Sequence, residues 1–363
     1  MQLVLNGIDT FDWGKLKGKR VGIITNFSAI NKNFEHILDV AAEENINVVK
    51  VFTPEHGLFG VADGKHIEDM IHPKYHYPVI SLFGKRKKPD KELLEDLDVL
   101  IFDIQDVGLR YFTYIYTLAY TMETAAEVRV KFIVFDRINP LGRKVVGQRI
   151  PDDMNTFVGG YKLPLRYGLT IGELSLYYKN LLGLDIDLEI SKLEGWSGET
   201  FSKTGLYWNL PSPNLPTYSS LLAYTGMVFL EGTDLSQGRG TTKPFEIIGA
   251  PWIDQDKLYE YLKEKHPEVY FRKRDFIPMY REYAGQVCHG IEFFPKEEDD
   301  FYSVAIDMLK YLKEYDEFKT TEHLDRLAGV KDFINSLDDY DLTPSKDFIE
   351  EAREVLLYGG DLH

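Results

Sequence analysis

The stretch VLIFDIQDVGLRYFTY, residues 99–114, joins an uninterrupted apolar run to a dense polar segment and then to the start of a helical pattern. Val99-Leu100-Ile101-Phe102 is the strongest strand candidate in the chain. Its residues are apolar in succession, not in alternation, as expected of a strand buried on both faces of a parallel sheet. Working outward, Thr113 to Val128 has helical spacing and is followed by a second apolar run, Phe132-Ile133-Val134-Phe135. Upstream lie Val21-Gly22-Ile23-Ile24, a helix-compatible segment from Phe34 to Ala42, and a strand candidate from Asn47 to Phe52 that Pro54 and Gly57 stop. Val79 to Phe83 and a helix near Asp90 to Glu95 complete the series. Strands alternating with helices imply parallel βαβ units and an α/β fold.

Ligands of open α/β sheets gather at the carboxyl ends of the strands. Three such ends are unusually polar: Glu55 and His56 after Phe52; Asp103, Gln105, Asp106 and Arg110 after Phe102; Asp136, Arg137 and Asn139 after Phe135. All three are expected to line one crevice. The turn Pro54-Glu55-His56-Gly57 sets a carboxylate beside an imidazole, where a general acid or base could meet substrate. Gly57 and Gly60 allow close backbone approach. A plain hydrogen-bonded turn is the competing reading. The donors and acceptors of residues 102–114 are costly to bury unless paired, so they point to a polar network or a polyhydroxylated ligand. Alternatively Asp106 or Thr113 caps the helix, with Asp103 and Arg110 as an ion pair. Asn139 before Pro140 also suits a simple turn.

A chain of 363 residues exceeds the usual reach of one core, so two domains are expected. The net charge of -16 works against nucleic-acid and anionic-membrane partners, although local arginines could still hold an anionic small substrate. The first residues lack a basic, then apolar, leader pattern, and no apolar run approaches the ~18 residues of a membrane span, so a cytoplasmic protein is expected. Cys288 is the one cysteine, read as a small buried hydrophobe. From about Tyr207 the texture changes: PSPNLP (211–216) is stiff, and Gly226 to Gly249 is rich in glycine, threonine and serine around Glu231, Ser236, Arg239 and Thr241. The expected domains are 1–220 and 221–363. Later helix candidates are Gln255 to Lys265, Phe301 to Glu314 and Ser345 to Leu357, with a strand from Val287 to Phe294.

The loop from Glu231 to Phe245 lacks the spacing of a phosphate-binding P-loop, yet Arg239 could grip a carboxylate or phosphate through two hydrogen bonds. His56, His66, His72 and His76 match no zinc-binding spacing, so no metal is expected. The first strand carries no dinucleotide-binding glycine pattern and the chain no Gly-x-Ser-x-Gly elbow, so neither NAD nor another cofactor, nor a hydrolase triad, is expected.

Taken together, PEHG (54–57), SLFG (81–84), FDIQDVGLRYFTY (102–114), DRINPLG (136–142), RYGLTIGEL (166–174), PSPNLPT (211–217) and EGTDLSQGRGTTKPFEIIGAPW (231–252) resemble the exo-β-N-acetylmuramidase family. The resemblance implies a Rossmann-like, mostly parallel sheet with helices on both faces, plus a smaller α+β accessory domain closing the cleft. It implies hydrolysis of β-1,4-linked N-acetylmuramic acid from the non-reducing end of peptidoglycan fragments, with Glu55 as the catalytic glutamate and a muramic acid disaccharide or muropeptide as partner. Two departures stand out: Phe112 where relatives tend to have tyrosine, and Ile138 in place of a proline. Glycoside hydrolysis needs an acid and a second group. Glu55 suits the acid; Asp103, Asp106, Glu231 and His56 compete for the second role, with Tyr114 as a possible stabiliser of positive charge on the sugar. Arg110, Arg137 or Arg239 could bind the lactyl carboxylate. Gln105, Asp136, Asn139, Ser236 and Thr241 complete the expected substrate contacts. A noncatalytic muropeptide binder and a metal-dependent phosphate-ester hydrolase are the rivals; the oligomeric state is open.

Overall fold

The computed structural model describes residues 3–61 and 67–363. They form two compact units, the first comprising Met1–Val146, Arg166–Pro213 and Pro344–His363, the second Gly147–Leu165 and Asn214–Thr343. The chain is thus divided at four points, whereas a single cut between 220 and 221 was expected.

The first unit is built on the apolar runs. Its strands are β1 (Val21–Thr25), β2 (Val48–Thr53), β3 (Met70–Ile71), β4 (Pro78–Ser81), β5 (Val99–Asp103), β6 (Lys131–Phe135) and β7 (Leu188–Ser191). They form one sheet in the order β3-β4-β2-β1-β5-β6-β7, parallel except for the β3–β4 pair. Every residue of β1 and β5 is buried. Val21, Ile23, Val51, Val79, Val99 and Ile101 share a core with Ile37, Leu38 and Ala41. The alternate residues Ile24, Phe52, Phe102, Phe132 and Val134 point to the opposite face and are equally buried. Both faces of this sheet are therefore covered, which is the α/β arrangement. The order reverses at β1, placing the topological switch over the carboxyl ends of β2, β1 and β5.

The helices beside this sheet are α1 (Gly7–Thr10), α2 (Ile37–Glu43), α3 (Tyr114–Val128) and α4 (Ile171–Leu182). α2 begins later than its spacing suggested: Phe34 has φ 65°, outside helical space, and His36 is the N-cap, its ring accepting from Leu38 N. The helix expected near Asp90 is only a 3-10 turn, Lys91–Leu93. α4 is fixed by a capping box between Thr170 and Glu173 and ends at Gly183.

The second unit holds an antiparallel sheet, β8 (Ile247–Ala250), β9 (Phe271–Phe276) and β10 (Cys288–Phe293), in the order β8-β10-β9. With it fold α5 (Tyr218–Met227), α6 (Gln255–Lys265), α7 (Phe301–Leu312) and α8 (Glu322–Ala328). Free Cys288 is buried there. The chain then returns to the first unit with α9 (Lys346–Arg353). No helix among the described residues is long and apolar enough to cross a membrane.

Candidate active site

Glu55 follows β2 directly. Pro54 ends the strand because it offers no ladder N–H, and its carbonyl accepts from Gly57 N at 3.1 Å. Glu55 and His56 are the two inner residues of this turn, and His56 has φ 70°. A positive φ at the third position is the mark of a type II turn and ordinarily calls for glycine. A histidine there costs about 1–3 kcal/mol, and such strain persists only where the surroundings fix it. The turn leaves both Glu55 and His56 half-buried at the sheet end. Thr113 Oγ1 donates to Glu55 Oε2 at 2.7 Å. Thr113 stands at the N-cap of α3, yet its side chain makes no capping bond. Its hydroxyl serves the carboxylate instead.

Tyr114, the next residue, is fully buried edge-on against Phe112, ring centroids 4.7 Å apart, and donates to Pro211 O at 2.8 Å. Burial and the nearby negative charge of Glu55 push its phenol well above the ordinary range, so it is a neutral hydroxyl. Beside it lies a residue the sequence reading missed. Asn26 follows β1, is wholly buried, and accepts at Oδ1 from Ser28 N (3.0 Å) and Ser28 Oγ (2.6 Å). Its side chain lies beside the Tyr114 hydroxyl. The rule about polar strand ends would have found Asn26 had it been applied to β1 as well.

The other strand-end residues are woven into one another. Asp103 pairs with Arg137, at 2.5 and 3.0 Å, both buried, and Arg137 also donates to Ile30 O. The expected partner of Asp103 was Arg110. The neighbouring strands β5 and β6 bring Arg137 to it instead. Arg110 is buried, with its carbonyl accepting from Tyr116 Oη at 2.5 Å. Asp106 accepts from Gly108 N and Tyr167 Oη, and burial raises its carboxyl to about 6. Gly108 has φ 79°, and an added Cβ would lie 2.3 Å from Asn139 Oδ1. Asn139 itself ties Leu141 N to Leu169 O. Asp136 receives Arg137 N, Gly172 N, Thr170 Oγ1 and Tyr358 Oη. Gln105 donates to Asp106 O and Ile138 O, and its N–H to Ser28 Oγ. This network shapes the loops, and Glu55 is the carboxylate it leaves half-exposed.

In the second unit, Arg239 meets Glu231 at 3.3 Å and Gln237 Oε1 at 3.0 Å. Ser236 is buried and exchanges backbone bonds with Gly249. Thr241 Oγ1 donates to Gly238 O and accepts from Lys243 N. Of the histidines, His72 is occupied in a turn, its Nδ1 accepting from Lys74 N and Tyr75 N, while His66 lies outside the described residues. Among the described residues no group of three His, Cys, Asp or Glu side chains is placed to hold a metal ion.

The family model "Exo-beta-N-acetylmuramidase NamZ, N-terminal" matches residues 21–219, and its C-terminal counterpart matches 222–358. A peptidoglycan beta-N-acetylmuramidase of Bacillus subtilis (strain 168) is 42% identical over 341 residues, covering 90% of this chain and 82% of that protein. A solved DUF1343 family protein of Bacteroides fragilis matches with TM-score 0.85 and 30% identity, over 98% of this chain and 99% of its own. A second from the same organism gives 0.79 and 27%, over 99% and 100%. With both family models in sequence and this degree of identity to a relative, the chain belongs to the exo-β-N-acetylmuramidase family.

Proposed function

We propose that the protein is a glycoside hydrolase that releases β-1,4-linked N-acetylmuramic acid from the non-reducing end of peptidoglycan fragments, with Glu55 as its general acid. The observation that carries the assignment of Glu55 is its place: a half-exposed carboxylate on a strained strand-end turn, held by the Thr113 hydroxyl. An acid so placed protonates the leaving glycosidic oxygen. The family and the muramidase relative support the reaction class.

Among the candidates for the second role in the first unit, Asp103 is committed to Arg137 by two charge-assisted bonds, and freeing it would leave Arg137 buried and uncompensated. Asp106 is held by Tyr167 and Gly108 and is partly protonated near neutral pH. Both serve the scaffold better than catalysis. Tyr114, a neutral phenol, acts as a fixed dipole beside the reacting sugar and not as a charged nucleophile. His56, on the same turn as Glu55, is our preferred partner in activating water.

Glu55→Gln tests the assignment. Cleavage of a chromogenic β-glycoside of N-acetylmuramic acid should fall by about 10²- to 10⁴-fold. Unchanged cleavage would reject Glu55 as the acid. We also propose that the enzyme recycles wall fragments in the cytoplasm, where the buried free thiol of Cys288 is compatible with reducing conditions. Finding most of the activity in an extracellular fraction would overturn that location.

A further inference from the structure

A concavity of about 680 Å³, its open mouth included, lies in the first unit beside the strand-end loops. Ser28, Gln105 and Ile138, from the loops after β1, β5 and β6, line it together with Trp208. None of the catalytic roles assigned above uses it, yet Ser28 ties it to the crevice by bonding Asn26, the neighbour of Tyr114. Strands lie ~4.8 Å apart, so the loop after β5 is roughly 10 Å from the end of β2, which carries Glu55. A glycan cleaved at Glu55 would reach the concavity with a neighbouring ring.

Three features describe what would occupy it. Phe34 and Tyr207 stand on the rim, 60% and 76% exposed, ring centroids 5.4 Å apart. Phe34 is kept there at φ 65°, a region that bulky residues avoid. Its loop is braced by Asn31, whose Oδ1 accepts from Asn33 N and Glu35 N, both at 2.9 Å. An exposed aromatic ring held by a strained, braced loop is a feature with a cost, and such features cluster at ligand clamps. Inside, the amide side chains of Asn6, Gln105 and Asn209 line the concavity among apolar ones. Aromatic faces, apolar walls and a few polar side chains suit a pyranose ring.

We propose that this concavity is a second saccharide site, which holds a hexosamine of the leaving glycan with its ring against the Phe34–Tyr207 rim. The direction rests on the muramidase reading. An exo enzyme that takes the terminal sugar leaves the rest of the glycan on the leaving-group side of the scissile bond.

Phe34→Ala and Tyr207→Ala, both at exposed positions, test this against two substrates. For a peptidoglycan tetrasaccharide, kcat/KM should fall about tenfold or more, mainly through KM, as truncating an aromatic anchor commonly does. For a chromogenic muramic acid glycoside with a small aryl leaving group it should stay within about twofold, since that group is too short to reach the rim. Equal losses on both substrates, or none on either, would overturn the site. If the unmutated enzyme cleaves neither, the muramidase reading fails, and the site is then judged by titrating N-acetylglucosamine against tryptophan fluorescence, with Trp208 as reporter. A saturable change in the unmutated protein that Tyr207→Ala abolishes supports it, and no change overturns it.

Discussion

Thr113 occupies a position where a threonine usually closes a helix, and the loss of such a cap costs about 1 kcal/mol. Here the hydroxyl is turned to Glu55 and makes no capping bond, so helix and carboxylate can be separated by one substitution. Thr113→Val keeps the shape and removes the donor. Its melting temperature should stay close to the unmutated value, because α3 loses nothing it was using. Its kcat should fall by about ten- to a hundredfold, the scale expected when a reacting group is misplaced by an ångström. A fall of several degrees in melting temperature with kcat intact would show that the hydroxyl serves the helix after all. Tyr114 and Asn26 belong to the same argument, since each is a buried side chain held by a loop bond, Tyr114 to Pro211 O and Asn26 to Ser28.

At the scale of elements, the carboxyl end of β6 is joined to the N-terminus of α4 through Asp136. Burial, with Glu173 adding its negative charge, raises the Asp136 carboxyl to about 7, against about 4 for an unfolded aspartate. Between those pH values the folded chain keeps a proton that the unfolded chain has released, so stability from this group falls as pH rises. It is fully present below about pH 4 and lost as pH passes through about 7. Asp136→Asn should abolish that component. Oδ1 receives two fixed backbone donors, Arg137 N and Gly172 N, whereas Oδ2 faces the hydroxyls of Thr170 and Tyr358, which can rotate to accept from an amide. Urea midpoints taken from pH 4 to pH 8 should fall less steeply with pH in Asp136→Asn than in the parent. An unchanged slope would mean that Asp136 is ionised throughout.

The same scale shows what could be read in advance. β1, β5 and β6 were legible because burial on both faces leaves continuous apolar runs, and in β2 only Lys50 interrupts the run. β9 was not: Arg272, Lys273, Arg274 and Asp275 are exposed, and its pairing with β10 and the 2.8 Å contact of Arg272 with Glu292 leave no apolar pattern. Polar strand ends made Glu55 visible. The Thr113 bond to it spans 58 residues, and the choice of Arg137 over Arg110 by Asp103 depends on strand order, so neither follows from local sequence.

For the whole molecule, the consequential feature is the return of residues 344–363 to the first unit. The segment closes several buried accounts there. Leu357 N donates to Glu173 Oε1 at 2.8 Å, and Tyr358 Oη joins Asp136 at 2.6 Å while accepting from Leu193 N at 2.9 Å. Phe348 packs on Tyr177 of α4, Tyr358 on Trp196, and Val145 N reaches His363 O. Ending the chain at Thr343 would strip the buried Leu193 N and Val145 N of their acceptors, at about 1–3 kcal/mol for each group left unsatisfied. It would also remove two aromatic side chains whose burial contributes about 1.5–3 kcal/mol each. Their sum is comparable to the whole stability of a typical domain, about 5–15 kcal/mol. The shortened chain should therefore lose cooperative melting of the first unit, even though its sheet strands are all present. Tyr358→Phe, which removes only the hydroxyl, should cost about 1–3 kcal/mol and keep a single transition. Adding residues 344–363 as a separate peptide should restore part of the lost transition if the defect is the missing contacts. A cooperative transition in the shortened chain at the parent midpoint would instead show that the sheet and its first four helices are self-sufficient.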